Sequence, residues 1–351
     1  MNNSEEKYSV AVIILNYNGR HHLEKFLPSV IDSVSEQTEV IIADNASTDD
    51  SVDFLNRCYP HLPLILLEKN FGFAEGYNKA VAAVKHEFVI LLNSDVEVPL
   101  GWIEPLINTL KDNNMIAAVQ PKILSYSDKK KFEHAGAAGG MIDFLGYPFC
   151  RGRIFLITEQ DNGQYDQEME IFWASGAAMC LRRKVFIELG GFDGDYFAHM
   201  EEIDFCWRAK KAGFSILFQP SSVVYHLGGG TLDYVSSFKV YLNFRNSLYT
   251  IFKNASISTL CWLLPVRLFL DGLAGVFYLA KGKFNLIWMI IKAHFAFYLS
   301  MPGLLVKRKE YHGKIQKCCV SPENNVGVFF KSIVYQHFVK KKSTFNEIFP
   351  S

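Results

Sequence analysis

Four apolar runs, each ending in polar or turn residues, constrain this chain more than any other feature. VAVIILNYNG, TEVIIADNAST, LPLILLE and HEFVILLNSD follow one another within the first 95 residues. A continuous apolar run bounded by turn residues reads as a strand buried on both faces. Helical spacing fills the intervals, as in Leu23, Phe26, Leu27, Val30 and Ile31, then Val52, Phe54 and Leu55, then residues 76–84. This βαβαβαβ alternation predicts a mostly parallel sheet with helices on both faces. In such sheets ligands are held at the C-terminal ends of the strands. The polar residues cluster there: Asn16 and Asn18, Asp44 and Asn45, Asn70, and Asn93 and Asp95. The pattern also sets Asp44 and Asp95 on neighbouring strand ends.

After Pro121 the chain turns Gly-rich and irregular (HAGAAGGMIDFLGYPFCRGR), and WASGAAMCLRR reads as a further strand. The stretch HMEEIDFCWR then places Glu201, Glu202 and Asp204 within four residues, ahead of a last strand, FSILFQPSSVVYH. On a helix the side chains of Glu201 and Glu202 point about 100° apart, so the two do not share one task. Asp204 and Arg208 stand at i,i+4, which suits a structural ion pair, and Trp207 reads as packing. His226 closes the last strand before a glycine run, a polar setting unlike that of a core histidine. Arg151, Arg153 and Arg245 fit either an anionic ligand or a surface.

The formal net charge is zero, but residues 281–351 carry 12 Lys/Arg against 3 Asp/Glu, leaving 24 against 33 in the first 280. A basic C-terminal part suits an anionic membrane surface, and it lacks a motif for reading nucleic acid. Ile257 to Ala280 and Phe284 to Val306 are long and apolar, although Arg267, Asp271 and Lys292 interrupt them. Arg267 and Asp271, at i,i+4, are spaced to pair. Flanking lysines favour helices lying in a membrane interface over a spanning hairpin or an ordinary soluble helical unit. Seven scattered cysteines without a CxxC pair, and a polar N-terminus without a signal-peptide core, point to a reducing, cytoplasmic setting.

The strings VIILNYNG, IIADNASTDDS, NFGFAEGYN, FVILLNSDVEV, WASGAAMCLRR, GGFDGDYFAHMEEIDFCWRAKKAG and VVYHLGGGTL occur in one order from Val12 to Leu232, about two-thirds of the chain. Together they resemble the bacterial family 2 glycosyltransferases of GT-A fold, in particular rhamnosyltransferase-like enzymes of surface-polysaccharide assembly. The resemblance implies a GT-A domain over residues 1–235 and a helical, membrane-associated region over 236–351. It implies an inverting transfer from a nucleotide sugar, UDP- or dTDP-linked, to a glycan or lipid-linked hydroxyl at the cytoplasmic face of the inner membrane.

Residue by residue, Asn16, Tyr17 and Asp44 match positions bordering the nucleotide, and Asn70, Gly72 and Gly76 match a loop near the nucleotide and sugar. Asn93-Ser94-Asp95 matches the DXD metal motif, with Asn replacing the first Asp. Asp95 and His226 then match ligands of Mg²⁺ or Mn²⁺, and Glu202 matches the general base, with Glu201 as the alternative. The family carries Glu-Asp where this chain has Glu201-Glu202. Two other functions remain open on the residues alone. A nucleotidyltransferase would want a Gly-rich, basic loop after the first strand, where this chain has NYNGRHH. A non-catalytic nucleotide-sugar-binding scaffold would keep the fold without the base.

Overall fold

A computed structural model describes residues 8–228 and 236–349. The first seven residues, the Gly229–Leu232 end of the last motif and the expected boundary at residue 235 lie outside the described residues. Strands β1 (Val10–Asn16), β2 (Thr38–Asp44), β3 (Leu64–Leu66) and β4 (Phe88–Asn93) alternate with helices α1 (Arg20–Asp32), α2 (Ser51–Cys58) and α3 (Gly72–Ala83). The short β5 (Val96–Glu97), α4 (Ile103–Asp112) and β6 (Ile116–Ser125) follow. A Gly-rich excursion then forms β7 (Gly140–Asp143), β8 (Pro148–Cys150), β9 (Arg153–Ile154) and β10 (Ile157–Thr158). The chain returns through β11 (Met169–Ile171), β12 (Ala178–Arg182), α5 (Arg183–Glu188), α6 (Glu201–Lys211) and β13 (Ser215–His226).

The main sheet runs β11-β13-β6-β12-β4-β1-β2-β3, with β5 paired to the end of β13. The strands β4, β1, β2 and β3 are mutually parallel, and β13 is parallel to β6. Between these two groups, β12 runs antiparallel to both β4 and β6. Helices cover both faces, as the alternation predicts. Ala11, Ile13, Val89 and Leu91 pack with Tyr77 and Val81 of α3 and Phe205 and Cys206 of α6. On the other face Val10, Val12, Ile14 and Ile90 pack with Leu23 and Leu27 of α1, Phe54 of α2 and Leu106 of α4.

One placement differs from the sequence reading. β1 lies between β2 and β4, so Asp44 and Asp95 flank β1 instead of ending adjacent strands. The run-and-helix pattern gives each strand's direction, but strand order depends on which way each crossover turns.

Helices α7 (Ser237–Asn254), α8 (Ile257–Ala280) and α9 (Phe284–Cys318) then pack back onto this body, followed by β14 (Val328–Phe329) and α10 (Phe345–Ile348). Leu248, Tyr249, Phe297 and Leu304 join the same core as α3 and α6, and β14 adds a parallel strand to β7. Both α8 and α9 are long and apolar enough to cross a membrane, and only 17% and 22% of their apolar windows are buried. Arg267 and Asp271 of α8 are buried, whereas Lys292 of α9 is exposed. Arg267 donates to the Leu145 carbonyl at 2.8 Å and the Ser247 hydroxyl at 2.6 Å, and lies over the Tyr147 ring. Asp271 meets His294 at 3.1 Å. The two therefore do not pair with each other as their spacing suggested, because each finds a partner across the helix packing.

Candidate active site

The first two strand ends are tied into one hydrogen-bonded floor. Asn16 and Asp44 stand opposite each other in the β1–β2 register, and Asn16 Nδ2 donates to Asp44 Oδ2 at 2.9 Å. Ser47 closes the turn after β2: its backbone N–H and hydroxyl donate to the two Asp44 oxygens at 2.8 and 2.7 Å. Both Asn16 and Asp44 are buried, whereas Tyr17 stands out into solvent. Next to Asp44, Asn45 reaches across to the following loop. Its amide donates to Asn70 Oδ1 at 3.1 Å and to the Gly72 carbonyl at 3.0 Å, and its oxygen accepts from Phe71 N–H at 2.9 Å.

Gly72 opens α3 at φ +75°, where a Cβ would come within 2.5 Å of the Phe197 ring and 2.6 Å of its carbonyl oxygen. Glycine is required there on both counts. Gly76, one turn on, backs onto the Leu15 side chain, where a Cβ would meet Cδ2 at 2.9 Å. Thus Asn16, Asp44, Asn70, Gly72 and Gly76 fall in one connected region.

The second group gathers where β4 and β13 end. β5 pairs antiparallel with the tip of β13, His226 opposite Val96, and Leu227 N–H donates to the Asp95 carbonyl at 3.0 Å. This register sets His226 Nε2 at 3.1 Å from Asp95 Oδ1, with its Nδ1 at 3.1 Å from Glu133 Oε2. Asn93 Nδ2 lies 3.4 Å from the same Nε2. Burial alone would lower the imidazole, but Asp95 and Glu133 outweigh it and push His226 up to about 10. Against the cost of its own burial, Asp95 is drawn below the ordinary carboxyl value by that imidazole.

Glu133 was missed in the sequence. It lies in a return segment whose backbone N–H bonds to the Ile123 carbonyl on β6, and no motif or periodicity marks it.

A hard divalent cation takes mostly oxygen ligands and keeps several for substrate phosphates and water. Among the described residues no group of three or more His, Cys, Asp or Glu is arranged to hold a metal. Asp95 and His226 offer one oxygen and one nitrogen at 3.1 Å. Adjacent octahedral ligands each about 2.1 Å from a cation lie about 3 Å apart. That pair fits an incomplete site which a diphosphate would finish. A cation held there would need the His226 Nε2 lone pair, and so would compete with a proton for that nitrogen.

The third group is the head of α6 and the segment that leads into it. Phe197, His199 and Met200 all have positive φ, at 65°, 69° and 75°. Three non-glycine residues so close together in that region store strain, which persists only where surroundings enforce it. Two sets of contacts enforce it here. The Phe197 carbonyl accepts from the first N–H groups of α3, Phe73 at 2.6 Å and Ala74 at 3.2 Å, tying this segment to the Gly72 loop. From α7, the Asn246 amide donates to the carbonyls of Tyr196, Ala198 and His199 at 3.1, 2.9 and 2.8 Å. Arg245 adds bonds to the carbonyls of Asp195 and Tyr196. It is a backbone clamp and not a surface charge.

At the end of that segment stand side chains that each leave one polar atom unsatisfied. Oε2 of Glu201, Oε2 of Glu202 and Nε2 of His199 are buried atoms without a hydrogen bond. Native structures leave few such atoms unsatisfied. Glu201 is buried, whereas Glu202 is partly exposed. Burial pushes the Glu202 carboxyl up to about 7, against three backbone hydrogen bonds. Burial, with Glu202 beside it, pushes Glu201 well above the carboxylate range.

Farther along α6, Asp204 and Arg208 form the expected ion pair at 3.0 Å, both fully buried. Lys253 of α7 contacts Asp204 at 3.0 Å and Asp193 at 2.6 Å, and Lys307 of α9 reaches Asp193 and Asp195. Arg151 is buried, donating to the Ala138 carbonyl at 2.9 Å.

A sheet with this strand order, helices on both faces and C-terminal helices packed against it has the GT-A fold. The family model for glycosyl transferase family 2 matches residues 11–190, and the chain belongs to that family. Among its relatives is the N-acetylglucosaminyl-diphospho-decaprenol L-rhamnosyltransferase of Mycobacterium tuberculosis, 28% identical over 231 residues, or 61% of this chain and 75% of the relative. The rhamnosyltransferase WbbL of Escherichia coli is 23% identical over 62% of this chain and 83% of its own length.

Two solved structures share the fold. GalNAc-T7 with UDP, GalNAc and Mn²⁺ superposes with a TM-score of 0.55 at 18% identity, over 71% of this chain and 48% of that one. The mannosyltransferase PcManGT of Pyrobaculum calidifontis, with GDP-Man and Mn²⁺, has a TM-score of 0.50 at 17% identity, over 84% and 88%.

Proposed function

We propose that the chain transfers a sugar, with inversion, from a nucleoside diphosphate donor to a hydroxyl of a lipid-linked or polysaccharide acceptor in cell-surface glycan assembly. The observation that carries this reading is the pair of acids at the head of α6, each with one buried oxygen that no hydrogen bond satisfies, on a strained segment bonded directly to the Gly72 loop. Donor and acceptor sides are thereby fixed to one another. The relatives named as rhamnosyltransferases support a glycan acceptor, and the UDP and GDP-Man of the solved neighbours support a nucleoside diphosphate donor, which the motif resemblance narrows to a UDP- or dTDP-sugar. The exposed apolar faces of α8 and α9 support work at a membrane, in this reading its cytoplasmic face.

Asp44, Asn16 and the exposed Tyr17 border the base and ribose, with Asn70, Gly72 and Gly76 lining the approach to the diphosphate and sugar. Asp95 and His226 hold a divalent cation, Mg²⁺ or Mn²⁺, which when bound neutralises the leaving diphosphate. Asn93 bonds the sugar or ribose beside them. Glu202 Oε2 accepts the proton of the acceptor hydroxyl. The freed oxygen attacks the anomeric carbon as the bond to the diphosphate oxygen breaks on the opposite face, and the diphosphate departs with the electron pair. Glu201 is the more deeply buried of the two, and burial beside Glu202 disfavours a second negative charge in the pocket.

Release of nucleoside diphosphate from a panel of nucleotide sugars, with membrane extract as acceptor, tests the assignment. Glu202→Gln is expected to slow turnover by about 10²- to 10⁴-fold while the fold remains intact. A variant as active as wild type removes Glu202 as the base. Since the base must be ionised, the wild-type rate should fall about tenfold per pH unit below about 7 and level off above it. A profile flat from pH 5 to 8 would contradict the role.

A further inference from the structure

A cavity of about 340 Å³ lies at the far end of α6 from the acids. Between Glu202 and Lys211 the helix rises about 13 Å, so this is a second location. Its walls come from the last turn of α6, the end of α7, the start of α8 and the C-terminal half of α9. Five cations line it, Arg208, Lys211, Lys253, Arg308 and Lys309, and no carboxylate does.

Two of the five are already matched. Arg208 pairs with Asp204, and Lys253 pairs with Asp193 and Asp204 behind the cavity wall. The other three are not: among the described residues no ion pair joins Lys211, Arg308 or Lys309 to a carboxylate. Lys211 donates to the Asn254 carbonyl at 2.9 Å, and Arg308 donates to the carbonyls of Phe252 and Lys253 at 2.6 and 3.2 Å. These bonds place the two cations at the C-terminal end of α7 without neutralising them. Burial holds the Lys211 ammonium below its ordinary value, Glu323 opposing and Arg308 adding to the effect, and burial does the same to Arg308. Clustered, desolvated cations of this kind are relieved by an incoming anion.

The rim indicates which anion. Ile257 and Leu305 line the cavity and are themselves exposed, continuing into the outward apolar faces of α8 and α9 that carry Phe269, Leu273, Phe295 and Leu299. A ligand that is phosphate at one end and hydrocarbon at the other satisfies both surfaces. We propose that this cavity holds the phosphate of a membrane lipid headgroup while the lipid chain lies along the α8–α9 face. The arrangement would dock the chain on an anionic bilayer by a built site, in addition to general attraction of its basic residues.

Sedimentation of the purified full chain with vesicles tests this, comparing phosphatidylcholine alone with phosphatidylcholine containing about 30% phosphatidylglycerol. The double variant Lys211→Gln/Lys309→Gln should bind the anionic vesicles about 10- to 30-fold more weakly than wild type, with binding to phosphatidylcholine unchanged. The control Lys281→Gln/Lys283→Gln removes the same charge at the other end of α8 and should weaken anionic binding by much less. Equal losses in the two variants would mean diffuse attraction, and no loss in either would mean no role; both results overturn the proposal. A parallel thermal-shift series with inorganic pyrophosphate separates the sources. A cavity-dependent shift by pyrophosphate without a cavity-dependent vesicle effect would make the ligand a soluble phosphate, which overturns the lipid assignment.

Discussion

The two sides of the candidate site are built in opposite ways. The side read as binding the donor is held together locally: Asn16, Asp44, Asn45, Ser47 and Asn70 come from consecutive strand ends and bond one another, with Asn16 Oδ1 left unpartnered. The side read as facing the acceptor is held from elsewhere. Its acids and His199 leave buried atoms without a hydrogen bond, its backbone passes through three residues at positive φ, and much of its restraint comes from helices 47 to 114 residues downstream. The difference teaches where pre-organisation has to be imported. Short polar residues on a parallel sheet lock locally, whereas a base that must stay unsatisfied until substrate arrives needs rigid neighbours. The C-terminal helices therefore serve the site as well as any membrane.

That contrast breaks most sharply at Asp193, where Lys253 and Lys307 converge from α7 and α9. Asp193→Ala leaves both cations without their shared carboxylate and is expected to cost about 3–5 kcal/mol of unfolding free energy in denaturant titration. The sign of its pH dependence follows from its direction. Burial opposes ionisation, but the two lysines hold Asp193 well below the ordinary carboxyl value. Its contribution is thus present above an unfolded value of about 3.9 and is lost as pH falls toward the folded one. Acid titration of wild type should show that loss, and the variant should lack it. A variant as stable as wild type would mean that the C-terminal helices do not brace this segment.

A smaller change sharpens the contrast. Asn246→Ala removes three bonds to the strained segment without touching the donor floor. It should lower kcat by up to about 100-fold while the dissociation constant for nucleoside diphosphate stays the same. If both parameters worsen together, the two sides are not separable. The smallest expected effect in stability is Gly72→Ala, at about 1–3 kcal/mol. Here, though, nucleotide binding and turnover should fall together, because the added Cβ pushes on Phe197 from the donor side. Calorimetry and turnover on one preparation check this.

Much of the donor side is legible in the sequence because strand periodicity and the turn residues after each run place Asn16, Asp44 and Asp95 at known ends. The strand order β4-β1-β2 was not legible, since a buried run carries no mark of its neighbour. Glu201 and Glu202 stand out as a cluster, but nothing local shows that they lack partners. Asn246 and Arg245 act on backbone carbonyls, which every residue possesses, so no spacing reveals them. Glu133 arrives beside His226 through a strand return that sequence periodicity does not encode. Arg267 and Asp271 misled for a related reason: i,i+4 spacing permits a pair, yet tertiary contacts offered each a better one.

In the proposed function a donor floor with Asp95 at its edge and a base at Glu202 are separate parts of one site. Titration calorimetry of nucleoside diphosphates, with and without Mn²⁺, on wild type, Asp95→Ala and Glu202→Gln addresses it directly. Expected are metal-dependent binding in wild type, loss of the metal-dependent part in Asp95→Ala, and undiminished binding in Glu202→Gln. Binding that survives Asp95→Ala unchanged, or fails in Glu202→Gln, would contradict it.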